Sequence, residues 1–477
     1  MGMRKTKIIC TLGPAVDDEG MLRKLILAGM NCARFNFSHG THESQRALLT
    51  KLKHVRDELG MPVAAMLDTK GPEIRIKTFQ NGPVTLERGQ EFILTTEDVP
   101  GDKHRVSVTY ENLHRELEKG CRVLVDDGLV EMIVDRICGS EICCTVENGG
   151  TLSNNKSINI PDVHILLPSL TQKDKDDLRF AAENEFDFIA ASFVRQASDV
   201  EDIRACLHEY GGDGIRIISK IENRDGVRNL DAIIEASDGI MVARGDLGVE
   251  IPAYEVPIIQ KKMIKATIRK GIPVITATQM LDSMIRNPRP TRAEISDVAN
   301  AVFDGTSCVM LSGETASGKY PIEALQQMAD TVVAAEDAID YWKRFQETGF
   351  ETTSNINDAI SHSCCQTAKD LNASAILAAT KSGYTAKVIS RFRPACSVVA
   401  LCRNEQVRRQ LAISWGVHPY LSGDVDSTDR LFSMAVDVAR KEGAVKPGEI
   451  VVITAGVPIG KSGTTNLIKA QVVGERQ

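Results

Sequence analysis

The stretch 215–250, IRIISKIENRDGVRNLDAIIEASDGIMVARGDLGVE, sets one lysine and two carboxylates at the ends of two apolar runs. Lys220, Glu222 and Asp246 are residue types that can hold a divalent cation and an anionic substrate group side by side. Mg2+ takes few carboxylates from a protein and completes its shell with water and with phosphate or carboxylate oxygens, so Glu222 and Asp246 suffice as ligands. Lys220 then stands where negative charge is handled. The blander reading is a surface Lys-Glu pair and a solvated turn aspartate, because paired surface charges are ordinary.

The elements that must position these side chains are short strands. IRIIS and GIMVA are rich in β-branched residues and bounded by turn residues, the pattern of strands buried on both faces of a parallel sheet. Side chains alternate along an extended chain, so Lys220 and Glu222 leave the first strand on the same side, and Asp246 leaves the second just past Gly245. The segment 225–236 between them reads as a crossover helix.

The same unit recurs along the chain. KIICTLGP leads to a helix over 19–28 and CARFNFSHG to a helix over 42–59; PVAAMLDTKGPEIR is third, followed after an interruption by FDFIAASFV, IRIISKIEN, GIMVARGDL, PVITATQML and CVMLSGETA. Eight strand-helix units in series predict a (β/α)8 TIM barrel over 1–70 and 169–345, with its active site at the carboxyl ends of the strands. Arg34, Asn36, Ser38, Asp68, Thr69, Lys220, Glu222, Asp246, Thr278 and Glu314 all fall at those ends and are expected to converge on one face. The interruption, 71–168, has alternating polar and apolar residues between Gly, Asp and Asn turns, which predicts a small all-β barrel inserted as a lid over the mouth.

The remainder, 346–477, alternates strand and helix again (ASAILAAT, CSVVALC, VHPYLS, EIVVITAG) and predicts an open, doubly wound α/β domain with ligands beyond its strand ends. Two of those ends suit phosphate: TKSGYTA at 380–386 offers hydroxyls, a lysine and a glycine at a helix start, and GVPIGKSGTTN at 456–466 offers more of the same. The second nearly spells a Walker A loop, but Gly456 and Gly460 stand one residue too close and no helix follows.

At 477 residues the chain exceeds one hydrophobic core, so about three domains are expected. A hydrophobic content of 43% and a charged content of 25% are those of a soluble globular protein. The net charge of -7 excludes general nucleic-acid binding, and no apolar run is long enough to span a membrane. The twelve cysteines contain no CxxC pair and fall mostly in apolar runs, as in Cys10, Cys32, Cys308 and Cys402, which predicts reduced core thiols in the cytoplasm.

ARFNFSHG, LDTKGPEIR, SKIEN, ARGDLG, ITATQML, NPRPTRAE and VMLSGETA, in this order across essentially the whole chain, closely resemble the pyruvate kinase family in its compact bacterial form. The resemblance implies the same barrel, inserted β lid and carboxyl-terminal regulatory domain. It also implies a phosphotransferase that moves the phosphoryl group of phosphoenolpyruvate to ADP, giving pyruvate and ATP in the last step of glycolysis. By motif, Glu222 and Asp246 resemble the ligands of Mg2+ (or Mn2+), Lys220 the lysine that stabilises the phosphoryl in flight, and Arg34 the arginine that grips it. Gly245 and Thr278 correspond to groups holding the substrate carboxylate, and Arg75, His39 and Lys156 resemble nucleotide contacts. Asn36, Ser38, Asp68 and Thr69 resemble K+ ligands, and Glu73 marks K+-dependent members of the family, although Ile76 stands where many of them carry Thr.

The resemblance places the proton delivered to the enolate near Thr278, with Ser312 and Glu314 as relay members. It also implies an allosteric site for a phosphorylated effector, to which we assign Thr380, Ser382, Gly383, Thr385 and Lys461, and a homotetramer to which a long helix over 320–345 could contribute. Two other functions fit a Mg2+ site on a barrel: a lyase acting on pyruvate enolates, and a non-catalytic sensor of sugar phosphates or nucleotides. ADP-dependent release of pyruvate separates the three.

Overall fold

The computed structural model describes residues 4–163, 165–350, 355–458 and 465–474. The eight predicted strands close into a parallel barrel in which each pairs with its sequence neighbours, the last pairing back onto the first. They run Lys7–Thr11, Cys32–Asn36, Ala64–Asp68, Phe188–Ala191, Arg216–Ile221, Gly239–Ala243, Val274–Ala277 and Cys308–Leu311. Every residue of the eight strands is buried except Arg34 and Asn36 of the second and Arg216 of the fifth, which is why each strand reads as a nearly unbroken apolar run. Inside the barrel Ile9, Cys32, Met66, Phe188, Ile218, Met241, Ile275 and Met310 fill the lumen.

Helices start where hydroxyls offer caps. Thr41, Thr171 and Thr291 each accept from the third amide of the following helix in a reciprocal capping box. The crossover over 225–236 is not one helix but two, Arg224–Arg228 and Leu230–Ala236, broken at Asn229. The long helix expected over 320–345 is likewise broken: Pro321–Asp337 ends at Ala338, and Asp340 caps a new helix, Tyr341–Thr348, by accepting from Lys343 N at 2.9 Å. The first of these packs its apolar face, including Leu325, Met328 and Val332, into the barrel's outer core.

The inserted segment forms a seven-stranded mixed sheet, whose edges at Ile74–Arg75 and Arg105–Ser107 meet through a bridge between Ile76 and Val108. It has a separate apolar core, with Phe92, Leu94, Val123, Met132 and Val134 fully buried. The stem leaves the third barrel strand through Gly71, whose φ of 71° and whose approach to Ser192, 2.8 Å from where a Cβ would stand, both require glycine.

The carboxyl-terminal sheet has the predicted parallel strands in doubly wound order, with Ala375–Thr380 central, flanked by Ser397–Cys402 and Ile450–Gly456. An additional edge strand, Thr465–Val472, runs antiparallel to Ile450–Gly456. Its helix Glu405–Leu411 is fastened to the foot of the barrel. Arg409 Nε donates to both oxygens of Asp187 at 2.9 and 3.1 Å, and Gln410 Nε2 donates to Gly214 O at 2.7 Å.

Candidate active site

The fifth strand ends as its alternation dictates. Lys220 and Glu222 emerge on one side, with Lys220 Nζ 2.9 Å from Glu222 Oε1. The same ammonium donates to Asp68 Oδ1 at 3.1 Å and to Ser192 Oγ at 2.7 Å, so its three N–H groups are all engaged. Asp68, at the end of the third strand, takes a second cation on its other oxygen: Arg34 Nε donates to Oδ2 at 2.6 Å, while Arg34 Nη1 donates to Thr11 Oγ1 at 3.0 Å. Residues from the first five barrel strands thus meet in one buried knot.

The electrostatics follow from that burial. Desolvation works against the charge on Lys220, but Asp68 and then Glu222 outweigh it and hold the ammonium above its ordinary pKa. Desolvation also opposes the Asp68 carboxylate, yet Arg34 and Lys220 bring it below the usual carboxylate range. Burial pushes Glu222 up to about 7, against Lys220 and with the added repulsion of Asp246. Glu222 Oε2 accepts from Phe193 N, whose φ of 58° turns the chain toward it. Asp246 stands in the first turn of helix Arg244–Glu250, half-buried, and among the described residues its carboxylate has no hydrogen bond or ion pair. Two neighbouring carboxylates, one of them unengaged, are a hard-oxygen donor set that fits Mg2+.

At the seventh strand Thr278 adopts φ 67°, and its Oγ1 accepts from Gly245 N at 2.8 Å. Arg244 holds this turn: Nη2 donates to Thr278 O and Nη1 to Asp297 Oδ1, both at 2.7 Å. Glu314 is buried, and its two oxygens accept from Leu281 N at 3.0 Å and Ser312 N at 2.7 Å; desolvation outweighs those amides and raises its pKa. The Ser312 hydroxyl is buried with no partner among the described residues.

A cleft of about 350 Å³ opens between the inserted sheet and the barrel mouth, and Asp246, Arg75 and Lys156 line it together. Arg75 is forked onto Glu73, with Nε on Oε1 at 2.5 Å and Nη2 on Oε2 at 2.9 Å, and Lys70 Nζ also reaches Glu73 at 3.2 Å. Lys156 pairs with Asp126 at 2.9 Å. His39 is exposed on the loop after the second strand and does not line this cleft. Asn36 sits opposite Asp68 in the strand register, and its Oδ1 accepts from the backbone of the exposed Ser38 at 3.1 Å. Thr69 follows at once, its carbonyl accepting from Ser192 Oγ at 2.6 Å.

In the carboxyl-terminal sheet Thr380 closes its strand, and Gly383, φ 83°, starts helix Tyr384–Arg391. Thr385 is buried with its hydroxyl 2.7 Å from that of Thr465. Ser382 is half-buried between them, and Lys461 lies outside the described residues.

Sequence reasoning passed over Thr11, Ser192 and Arg244. All three sit at or just past strand ends, so the rule that selected Asp68 and Lys220 selects Arg244 as it stands, and Thr11 and Ser192 when it is extended to hydroxyls followed by an apolar residue.

Fixed cations packed against carboxylates at the carboxyl ends of barrel strands equip an enzyme to move an anionic group. The comparisons give that class its family. A family model described as pyruvate kinase, barrel domain, matches residues 3–325, and one described as pyruvate kinase, alpha/beta domain, matches residues 358–471. The pyruvate kinase of Clostridium acetobutylicum is 51% identical over 472 residues, covering 99% of this chain and 100% of that one. That of Geobacillus stearothermophilus is 49% identical over 475 residues, covering 99% of this chain and 81% of that one. A pyruvate kinase crystal structure from Cryptosporidium parvum superposes with a TM-score of 0.94 at 40% identity, covering 98% of this chain and 96% of that one. The chain belongs to the pyruvate kinase family, a family of phosphotransferases.

Proposed function

We propose that this chain transfers the phosphoryl group of phosphoenolpyruvate to ADP at the mouth of its barrel, forming pyruvate and ATP. The observation that carries the reading is the knot around Asp68, which fixes the Lys220 ammonium and the Arg34 guanidinium beside the Glu222 and Asp246 carboxylates. Phosphoryl transfer passes through a loose transition state, so catalysis there is mostly positioning and neutralisation of charge. Lys220, held protonated by its carboxylate neighbours, meets the phosphoryl oxygens as a fixed charge, and Arg34 offers a fork suited to the same oxygens.

Glu222 and Asp246 would hold Mg2+, which when bound supplies further neutralisation of the substrate's negative charge. Gly245 N and the Thr278 hydroxyl, bonded to one another in this structure, are the groups we assign to the substrate carboxylate. Thr278 is also the group we assign to proton delivery to the enolate, with Ser312 and Glu314 as relay members. Arg75 and Lys156 face the cleft we assign to ADP, and His39 is a further nucleotide contact by its motif. Asn36, Ser38, Asp68 and Thr69 offer oxygen donors only, the chemistry K+ needs, and Glu73 leaves the site without an additional lysine charge. Thr380, Ser382, Gly383, Thr385 and Lys461 are proposed to take the phosphate of an effector, and a homotetramer is the proposed assembly.

The test is the initial rate of pyruvate release against phosphoenolpyruvate and ADP, with and without Mg2+ and K+ and across a panel of phosphorylated metabolites. Asp246→Asn should lower kcat about a hundredfold and raise the Mg2+ requirement. Release of pyruvate without ADP, or a rate indifferent to Asp246→Asn, would sink the reading.

A further inference from the structure

Ser192 directly follows the fourth strand, is 8% exposed, and bridges the lysine at the centre of the site to Thr69, one of the residues assigned above to K+. Its Oγ accepts from Lys220 Nζ at 2.7 Å and donates to the Thr69 carbonyl at 2.6 Å, with Asp68 Oδ1 at 3.4 Å. Its backbone N–H donates to Thr69 Oγ1 at 3.2 Å. Whichever oxygen Thr69 presents to an ion, hydroxyl or carbonyl, that oxygen is already a partner of Ser192.

A serine hydroxyl has one proton and rotates to suit its neighbours. Here the short bond to the Thr69 carbonyl commits that proton, which leaves a lone pair directed at Lys220. Ser192 is also the only uncharged partner of the ammonium among the described residues, the other two being carboxylates.

We infer that Ser192 is a positioning residue that aims the Lys220 ammonium and couples it to the monovalent-cation ligands, so that an ion drawn to Thr69 and the charge on Lys220 sense each other through one hydroxyl. This rests on the reading of Lys220, Asp68 and Thr69 given under Proposed function. Coupling of this kind is reciprocal, so a defect that loosens the lysine must also appear in ion affinity when no substrate is present.

The experiment compares wild type, Ser192→Ala and Ser192→Thr as full-length proteins. Steady-state kinetics are measured with phosphoenolpyruvate and ADP, and Tl+, a K+ surrogate, is titrated by 205Tl NMR into substrate-free protein. Ser192→Ala is expected to lower kcat about tenfold or more while leaving KM for phosphoenolpyruvate within about threefold, because an aim realised at the transition state is lost. It should also weaken Tl+ binding about fivefold, a coupling of ordinary size, and Ser192→Thr, which keeps the hydroxyl, should recover both. Wild-type kcat or wild-type Tl+ affinity in Ser192→Ala overturns the inference, and so does a Ser192→Thr protein no better than the alanine variant. A wild-type enzyme indifferent to K+ and Tl+, or one whose Lys220→Ala variant stays active, would instead overturn the reading on which the inference rests.

Discussion

Two buried lysines stand at opposite ends of the same barrel. Lys7 begins the first strand at the foot, with its Nζ on the Val417 carbonyl at 2.7 Å. Lys220 ends the fifth at the mouth, among Asp68, Ser192 and Glu222. Burial pushes Lys7 down to about 7, assisted first by Arg4 and opposed by Cys308 and Glu336. At Lys220 the same desolvation is outweighed by two carboxylates. Burying a charge therefore does not make a site. What distinguishes the mouth is that its cation is held charged by two carboxylates, beside a cleft-lining aspartate whose carboxylate has no hydrogen bond or ion pair among the described residues.

The foot also holds an ion pair that closes on itself. Asp187 is fully buried, accepts from Ala65 N at 2.9 Å and from Arg409, and lies 3.9 Å from Arg56. Its acceptors are taken up by the protein, so it joins the carboxyl-terminal helix to the barrel instead of presenting chemistry.

The contrast can be broken most directly at Lys220. Lys220→Ala should lower kcat by about a thousandfold or more, the scale on which loss of a preorganised charge is felt at the transition state. A mild effect would put the two lysines in one category. Asp187→Ala should do the reverse, costing about 3–5 kcal/mol of stability in denaturant unfolding because it strands Arg409, with kcat of the folded protein within about twofold of wild type. A variant that keeps its stability and loses turnover would move chemistry to the foot.

Lys7→Met sharpens the comparison by pH. A lysine whose pKa is depressed on folding leaves the unfolded chain binding more protons, so its contribution to stability rises with pH between the folded value of about 7 and the ordinary lysine value of 10.5. Arg4, Lys5, Cys308 and Glu336 face it, and His418, also lowered by burial, lies in the same cluster. Replacing Lys7 should flatten the stability profile over that window by up to about 1.4 kcal/mol per pH unit, read from unfolding curves at successive pH values. An unchanged slope would show that Lys7 keeps its proton in the fold.

Much of this was legible in the sequence for one reason. Strands buried on both faces leave apolar runs, and a barrel puts its chemistry where those runs stop, so Asp68, Lys220, Glu222 and Asp246 announce themselves as charges at the ends of apolar segments. Thr11 and Ser192 do not, because a hydroxyl followed by Leu12 or Phe193 reads as a continuation of the run. Helix breaks at Asn229 and Ala338 were hidden because apolar periodicity continues across them, although Asp340 carried a capping signal. The order of the inserted sheet was not legible, since strands as short as Ile74–Arg75 and Ser157–Asn159 carry almost no pattern and are paired by the tertiary fold. NPRPTRAE is instructive in another way: its Glu294 accepts from Ser283 and Thr291 as a helix cap, so a family motif can be spent on architecture.

The fastening of Arg409 to Asp187 bears on how the chain can be cut. A fragment pruned back to the barrel and its insert would strip Asp187 of its guanidinium partner at 2.9 Å and leave it the Ala65 amide and the more distant Arg56. The barrel thus borrows a counterion from the domain that follows it, and each stands in for solvent to the other at that point.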